Sequence, residues 1–513
     1  MNNVAVITRI KNIKSIAGAD KIVVGQVFES NIIVSKDIQE NTLGVYFDSN
    51  LQISKEFLFF NNLYKDNKLN KDTTQSGFFD ENGRVRCIKL KGVKSDAFWI
   101  PISSLKFTGF NINKLKEGFE FNDLNGIHIC NKYINVKTKQ YRNKKKINKH
   151  KENKFKIPLT IFPENPDTEQ LVKHLEDIPD NKIIIVSEKC NGTSVRIGNV
   201  KVTKSLNWWQ KLLFKIGIKI DTSEYKDIVG SRRVIKTDLI VKREISFDKY
   251  WADKKLDVKK YLFKKFYKEY FKLDIPEKLY EDIFSLDTEN VDIYNNFNFY
   301  ENKLGILPNI FKTWIYDNYY NSNTGFYSKD IWTEATNCLR GKLHKNEIIY
   351  GEIVGWLNND SLIMGLYDNK KMGKEFIKKY GKKTAFSYGT QKGQHKLLIY
   401  RITLSNGDGF EIDYSWENLK ERCNQLGVEH VPELLILNSH DFYDDKRKFM
   451  EKIKELVQGN STIDSTHIRE GICVRIDDGL NMKVFKYKSW EYKFLEGIIK
   501  ENENFVDIEE SQV

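Results

Sequence analysis

The sequence predicts an α+β chain in which a small N-terminal β-barrel precedes a larger domain of antiparallel sheets with flanking helices. Three observations predict it. Residues 1–105 break into short apolar runs punctuated by Asp, Asn and Gly, the pattern of a small barrel. From residue 157 onward, apolar strand-like runs are interspersed with stretches of helical spacing. Between these regions, residues 137–156 carry ten Lys or Arg against one Glu, which reads as a basic linker able to touch phosphates. The expected domains are therefore 1–136, the linker 137–156, and 157–513 with an insertion at 244–322.

Composition narrows the function classes. With 513 residues, 40% of them hydrophobic, the chain can bury more than one core. A net charge of +13 and a pI of about 9.0 suit a polyanion such as nucleic acid, although Lys-rich solvated helices would give the same total. The six cysteines form no Cys-x-x-Cys pair, so reduced thiols in a reducing, cytoplasmic compartment are expected. The N-terminus lacks the apolar core of a signal peptide, and no run reaches the roughly 18 apolar residues of a membrane span. No membrane partner is expected, and the protein is expected to be a monomer.

Within 1–105 the candidate strands are Val4 to Ile10, Ile22 to Val27, Ile32 to Val34, Gly44 to Phe47, Val85 to Leu90 and Phe98 to Ile100. In Arg84-Val85-Arg86-Cys87 the alternation would place both arginines on one face of a strand, with Lys89, Lys91 and Lys94 continuing the charge. That face is either a nucleic-acid surface, with Arg84 and Arg86 as its contacts, or a solvated strand.

In the second region, Pro163 to Asp167 reads as a loop. A helix is expected from Thr168, on the spacing of Leu171, Val172, His174 and Leu175. The apolar run Ile183 to Val186 leads through Glu188-Lys189 into Asn191-Gly192 and an alternating Ser194-Val195-Arg196-Ile197, which predicts a hairpin with Lys189 at its mouth. Apolar sequence on both sides would desolvate that lysine and lower its pKa, and a neutral lysine is a nucleophile. Inside the insertion, Val258, Leu262, Phe266 and Tyr270 give one apolar stripe to a helix over Lys254 to Leu273. Glu352 interrupts an apolar strand and needs a partner, whether sugar hydroxyl, metal or lysine. Helices are expected over Trp416 to Leu426 and Lys446 to Val457. A strand from Glu470 to Ile476 turns at Asp477-Asp478-Gly479 into Met482 to Lys488, where Lys486 and Lys488 share a face.

Lys189-Cys190-Asn191-Gly192, Gly351-Glu352-Ile353-Val354-Gly355, Glu470-Gly471-Ile472-Cys473-Val474-Arg475 and Lys486-Tyr487-Lys488 occur in this order. They resemble motifs I, III, IV and V of the covalent nucleotidyltransferases, the superfamily of DNA ligases, RNA ligases and mRNA capping enzymes. Each is short, and their order makes the signal. Gly230-Ser231-Arg232-Arg233 resembles motif Ia, whose arginine contacts the ribose; Arg232 is the closer match and Arg233 the fallback. Asn82-Gly83-Arg84-Val85-Arg86 with Ser95-Asp96 resembles the N-terminal OB-like module of Deinococcus-type RNA ligases, with Ala97 where glycine is expected. Only 25 residues follow Lys488, so the barrel expected at the N-terminus stands in for the C-terminal OB domain of DNA ligases and capping enzymes.

The resemblance implies an ATP-dependent RNA ligase in which Lys189 carries AMP. Lys486 and Lys488 would depress its pKa and steady the phosphate, Glu352 would hold the ribose, and Glu470 would bind Mg or Mn. Glu188, Asn191 and Gly192 would complete the nucleotide site. Asn191 departs from the Asp or His more usual there. Leu397 stands where relatives place an aromatic, so adenine stacking either falls to Tyr400 or Tyr388 or is weaker, with these tyrosines in the core. The implied substrate is a nicked duplex whose 3′-OH strand ends in RNA. The alternatives are a DNA ligase or capping guanylyltransferase, and an inactive transferase that only binds nucleic acid.

Overall fold

The computed structural model describes residues 3–135, 137–140, 161–203, 209–210, 221, 223–236, 256–271, 273–278, 280, 330–406, 410–479 and 481–501. Residues 141–156 of the expected linker and most of the expected insertion lie outside them. Contacts divide the chain into two compact units. The first holds Met1–Glu152, Leu159–Ser194 and Asn346–Val513; the second holds Asn153–Pro158 and Val195–Lys345. Among the described residues no helix is long and apolar enough to cross a membrane.

The first unit begins with the barrel. Its strands are β1 (Ala5–Arg9), β2 (Lys11–Ser15), β3 (Ile22–Val27), β4 (Ser30–Ser35), β5 (Leu43–Asp48), β6 (Leu51–Ile53), β7 (Ile88–Leu90), β8 (Val93–Ser95), β9 (Ala97–Pro101), β10 (Glu120–Phe121), β11 (Asp123–Leu124), β12 (Ile127–His128) and β13 (Cys130–Lys132), with helix α1 (Lys55–Phe60) after β6. Strands order as β10-β1-β5-β9 and β2-β3-β4, with pairs β13-β6, β11-β12 and β7-β8. Ala5, Ile7, Val45, Phe47, Phe57 and Phe98 fill one core, the alternate positions that the short apolar runs supply. The expected strand Val85 to Leu90 is shorter: only Ile88–Leu90 pairs as a strand. Arg84 makes an isolated bridge to Gln52, and its side chain is buried rather than set on a strand face with Arg86.

The rest of the first unit contains two sheets. The five-stranded sheet orders as β14-β26-β25-β15-β24, from β14 (Glu169–Gln170), β15 (Ile183–Lys189), β24 (Glu433–Asn438), β25 (Gly471–Asp478) and β26 (Asn481–Lys488). One of its faces packs Ile184, Val186, Ile472, Val474 and Phe485 against Phe449, Met450 and Ile453 of the amphipathic helix α6 (Lys446–Val457). In the second sheet, β18 (Glu347–Gly355) pairs with β21 (His395–Ser405), which pairs with β22 (Glu411–Asp413) and, in parallel, with β23 (Glu429–His430). A hairpin of β19 (Leu366–Asp368) and β20 (Lys383–Ala385) encloses α4 (Lys374–Tyr380), and α5 (Trp416–Leu426) precedes β23. The helix expected from Thr168 is absent: Leu171–Lys173 and Leu175–Asp177 are two single 3₁₀ turns, too tight to present a 3.6-residue stripe.

The barrel is fixed to α7 (Trp490–Glu501), the helix after β26. Lys493 Nζ lies 2.6 Å from Asp96 Oδ2, Lys94 pairs with Glu491, and Arg84 Nη1 donates to the Gly497 carbonyl at 2.9 Å. Away from α7, Lys454 pairs with Glu29 at 2.7 Å.

In the second unit β16 (Thr193–Thr203) pairs antiparallel with β17 (Ser223–Ser231). Helix α2 (Leu256–Phe271) buries Leu262 and Phe266 of the expected stripe together with Phe263. The short helix α3 (Ile331–Ala335) carries Trp332, whose ring lies 4.1 Å from Lys236 Nζ.

Candidate active site

Strand alternation places the site. Because the even-numbered residues of β15 and β25 face α6, Ser187 and Lys189 turn to the opposite face, with Gly471 and Cys473. On β26 the same rule sends Phe485 and Tyr487 to the core, and Lys486 and Lys488 to the lysine face. The register then sets Lys189, Gly471 and Lys488 side by side, with Cys473 and Lys486 paired one step along. Gly471 is required there: a Cβ would stand 2.5 Å from the Tyr487 carbonyl oxygen.

Glu470 precedes Gly471, is 2% exposed, and bridges the two flanking lysines. Its Oε1 lies 2.9 Å from Lys189 Nζ and 3.2 Å from Lys488 Nζ. Lys488 is also 3.2 Å from Glu496 Oε2 on α7. Burial opposes ionisation of Glu496, but Lys488 and Lys500 outweigh it and hold that carboxyl well below its usual range. Glu470 Oε2 is buried and has no hydrogen-bond partner among the described residues.

The expected depression of the Lys189 pKa is overturned in this arrangement. Burial does push it down, but Glu470, then Cys473 and Glu352, outweigh burial and hold Lys189 well above its ordinary value. Lys189 is therefore an ammonium clamped by Glu470. The depressed lysine is Lys486, lowered to about 8 by burial and by Lys488, Lys189 and Lys132. Lys486 has no carboxylate partner among the described residues.

The Asn191-Gly192 hairpin is also overturned. Strand β15 pairs with β24 and β25, and β16 pairs with β17, so the segment between them is a crossing rather than a tight turn. Gly192 is needed for close approach, since a Cβ would lie 2.2 Å from the Ile353 carbonyl oxygen of β18. Asn191 is buried and held by three tyrosines. Its backbone N–H donates to the Tyr388 hydroxyl at 2.5 Å, Nδ2 donates to the Tyr367 hydroxyl at 3.1 Å, and Tyr492 donates to Oδ1 at 3.0 Å. Burial raises all three phenols, so they stay protonated. An amide with both ends engaged in this way is a positioning group behind the lysine. Tyr367 and Tyr492 carry no motif signal, and only the fold brings them to Asn191.

The remaining candidates separate. Glu352 lies on β18, accepts from Ser194 Oγ at 3.2 Å, and is close enough to raise Lys189. Glu188 faces the α6 side, where Oε2 accepts from the Thr462 backbone N–H at 2.8 Å and hydroxyl at 2.7 Å. It braces the strand from the face opposite Lys189. Tyr388 is fully buried, which removes it as a stacking surface for adenine. Tyr400, half-buried, is the extra residue of a β-bulge opposite Tyr350 and Gly351, a position that re-aims a side chain. Arg232 lies in the second unit, in the turn closed by the Ser231 N–H on the Val234 carbonyl at 2.8 Å.

Comparisons with known proteins bear on the fold. An OB-fold domain family matches residues 4–102, the barrel. No curated protein matches the chain. Among solved structures the chain is similar to a Naegleria gruberi RNA ligase mutant with AMP and Mn, at 14% identity and a TM-score of 0.46 over 95% of this chain and 97% of that one. It is similar also to the Naegleria gruberi RNA ligase with PPi, at 13% identity and a TM-score of 0.47 over 96% and 98%.

Proposed function

We propose that the protein is an ATP-dependent RNA ligase that works through a lysyl-AMP intermediate. The observation that carries this reading is the row Lys189–Gly471–Lys488, with Glu470 bridging the two lysines and Lys486 beside them without a carboxylate partner among the described residues. Such a cluster is poorly explained as a structural ion pair, because Lys486 stands beside the bridged Lys189–Glu470–Lys488 set with Lys488, Lys189 and Lys132 all pressing on it. It suits a triphosphate, whose negative charge Lys486 and Lys488 would take up.

In this reading Lys189 gives up a proton, with Glu470 Oε1 as the nearest acceptor at 2.9 Å. Its Nζ then forms a bond to the α-phosphorus as the bond to pyrophosphate breaks. The AMP passes to an RNA 5′-phosphate, and a 3′-hydroxyl displaces it to close the strand. Glu352 would hold the ribose and Tyr400 would stack on the base. Glu470 Oε2, buried without a donor, fits a divalent ion, which would supply positive charge at the reacting phosphate. One carboxylate with phosphates and water is an ordinary set for Mg²⁺. The finer reading is a preference for nicks whose 3′-OH strand ends in RNA, sensed through its 2′-hydroxyls.

Incubation with α-labelled ATP and Mg²⁺ should label the protein, and Lys189→Ala should abolish the label. Labelling that survives in that variant would refute the assignment. Equal sealing of RNA and DNA 3′-OH ends would refute the finer preference.

A further inference from the structure

A groove of about 530 Å³ runs between the β7–β8 hairpin of the barrel, helix α4 and the start of α7. Lys89, Lys94, Lys371, Lys374 and Lys379 rim it, against two carboxylates, Glu375 and Glu491. Its walls are aromatic. Trp490 and Phe494 stack with centroids 4.9 Å apart, and Phe376 lies 4.6 Å from Tyr380. Lys94 is paired with Glu491 and sits 5.1 Å over the Trp490 ring. Lys89, Lys371 and Lys374 are exposed and have no carboxylate partner among the described residues. Lys89 also sits directly across the hairpin from Lys94, a like-charge pair that Glu491 offsets at Lys94 but not at Lys89. The groove wall includes Ser489, the residue after Lys488, and the Ser489 N–H donates to the Glu470 carbonyl at 3.1 Å. The lining also includes Val457 at the end of α6, and none of Lys189, Glu470, Lys486 or Lys488, so the groove is separate from the lysine row.

We infer that this groove binds a single RNA strand, with phosphates on Lys89, Lys371 and Lys374 and a base against Phe376. The inference rests on the ligase reading for its polymer. Cations interleaved with aromatic faces match the repeat of a nucleic-acid strand, in which each phosphate is followed by a base that can stack. An acidic peptide would use the lysines and leave the rings without a role.

The test uses the full chain and a short fluorescein-labelled single-stranded RNA, read by anisotropy across a salt series. The triple variant Lys89→Ala, Lys371→Ala, Lys374→Ala alters only exposed side chains. It should bind at least about tenfold more weakly at low salt, with a log–log salt slope shallower by about 2, at about 0.7 per phosphate contact. Phe376→Leu keeps an apolar side chain and should weaken RNA roughly fivefold or more, as loss of a stacked base does, while leaving inorganic polyphosphate binding unchanged. Triple-variant binding within twofold of wild type with the same slope would overturn the groove. An unaltered RNA affinity in Phe376→Leu, or poly-glutamate competing as well as RNA, would overturn the nucleic-acid assignment. Covalent AMP labelling is measured alongside and should equal wild type in the triple variant. Absence of labelling in the wild type, with the RNA results as expected, would sink the ligase reading and leave the groove standing.

Discussion

Arg84, Arg86 and Lys94 of the barrel and the lysines of the five-stranded sheet lie in one unit and do opposite things. Arg84 is 6% exposed, donates to the Gly497 carbonyl and packs its guanidinium 4.6 Å over the Tyr133 ring. Arg86 pairs with Asp80, and Lys94 with Glu491. These charges hold the barrel to α7 or to itself. On the sheet, Lys486 has no carboxylate partner among the described residues, and its neighbours within electrostatic reach include three lysines that push its pKa down to about 8. A cation with a carboxylate or carbonyl beside it reports how the chain docks. A cation crowded by its own kind reports where an anion is to be received. The net charge of +13 does not distinguish the two.

The largest effect that sharpens this contrast falls on Lys486. Lys486→Met should lower the rate of lysyl-AMP formation about 10²- to 10³-fold, the range for losing one preorganised charge-stabilising group. In the wild type the protonated lysine is lost as pH rises through about 8, so AMP transfer should lose this contribution there, and Lys486→Arg should remove that limb of the profile. Stability has its own sign. The folded pKa, about 8, lies below the roughly 10.4 of an unfolded lysine, so between those values the unfolded chain binds more protons and stability rises with pH. Below about 8 the buried charge is a cost, and Lys486→Met should be the more stable protein there. Urea titrations of both proteins at two pH values on either side check this, and a variant-minus-wild-type difference that is the same at both would contradict it.

Asn191 offers the next effect. Asn191→Asp would install the residue more usual in the superfamily that the motifs resemble, yet it should harm this protein. The carboxylate loses the N–H that Tyr367 accepts and places charge among three buried phenols. A loss of about 1–3 kcal/mol is expected, by thermal or urea unfolding. A variant as stable as wild type would show that the tyrosines do not hold the amide.

Much of the fold was legible because local pattern and tertiary role coincide. The expected strand Ile22 to Val27 and helices Trp416 to Leu426 and Lys446 to Val457 match β3, α5 and α6. The barrel cores alternate, and the helices carry one apolar stripe. The misreadings fall where a partner distant in sequence decides. Gly192 looks like a turn residue, but the Ile353 carbonyl is what excludes a side chain. Arg84 to Cys87 alternates like a strand, but Arg84 is drawn in by α7. Apolar neighbours suggest a neutral Lys189, but Glu470, the residue just before β25 begins, reverses the sign. Motif order identified which residues meet; their protonation required the geometry.

The smallest expected effects bear on the barrel arginines, which the sequence offered as nucleic-acid contacts. Arg84→Ala removes a buried guanidinium that donates to the Gly497 carbonyl and packs on the Tyr133 ring, so about 1–3 kcal/mol of stability should go. Arg86→Ala breaks a partly exposed ion pair and should cost about 0–1 kcal/mol. If docking is what these residues do, both variants should keep the wild-type RNA affinity and salt slope after correction for the folded fraction. A shallower slope in Arg86→Ala at unchanged stability would mean that this arginine exchanges Asp80 for a phosphate, and Arg86 would then join Lys89 as a barrel cation that receives an anion.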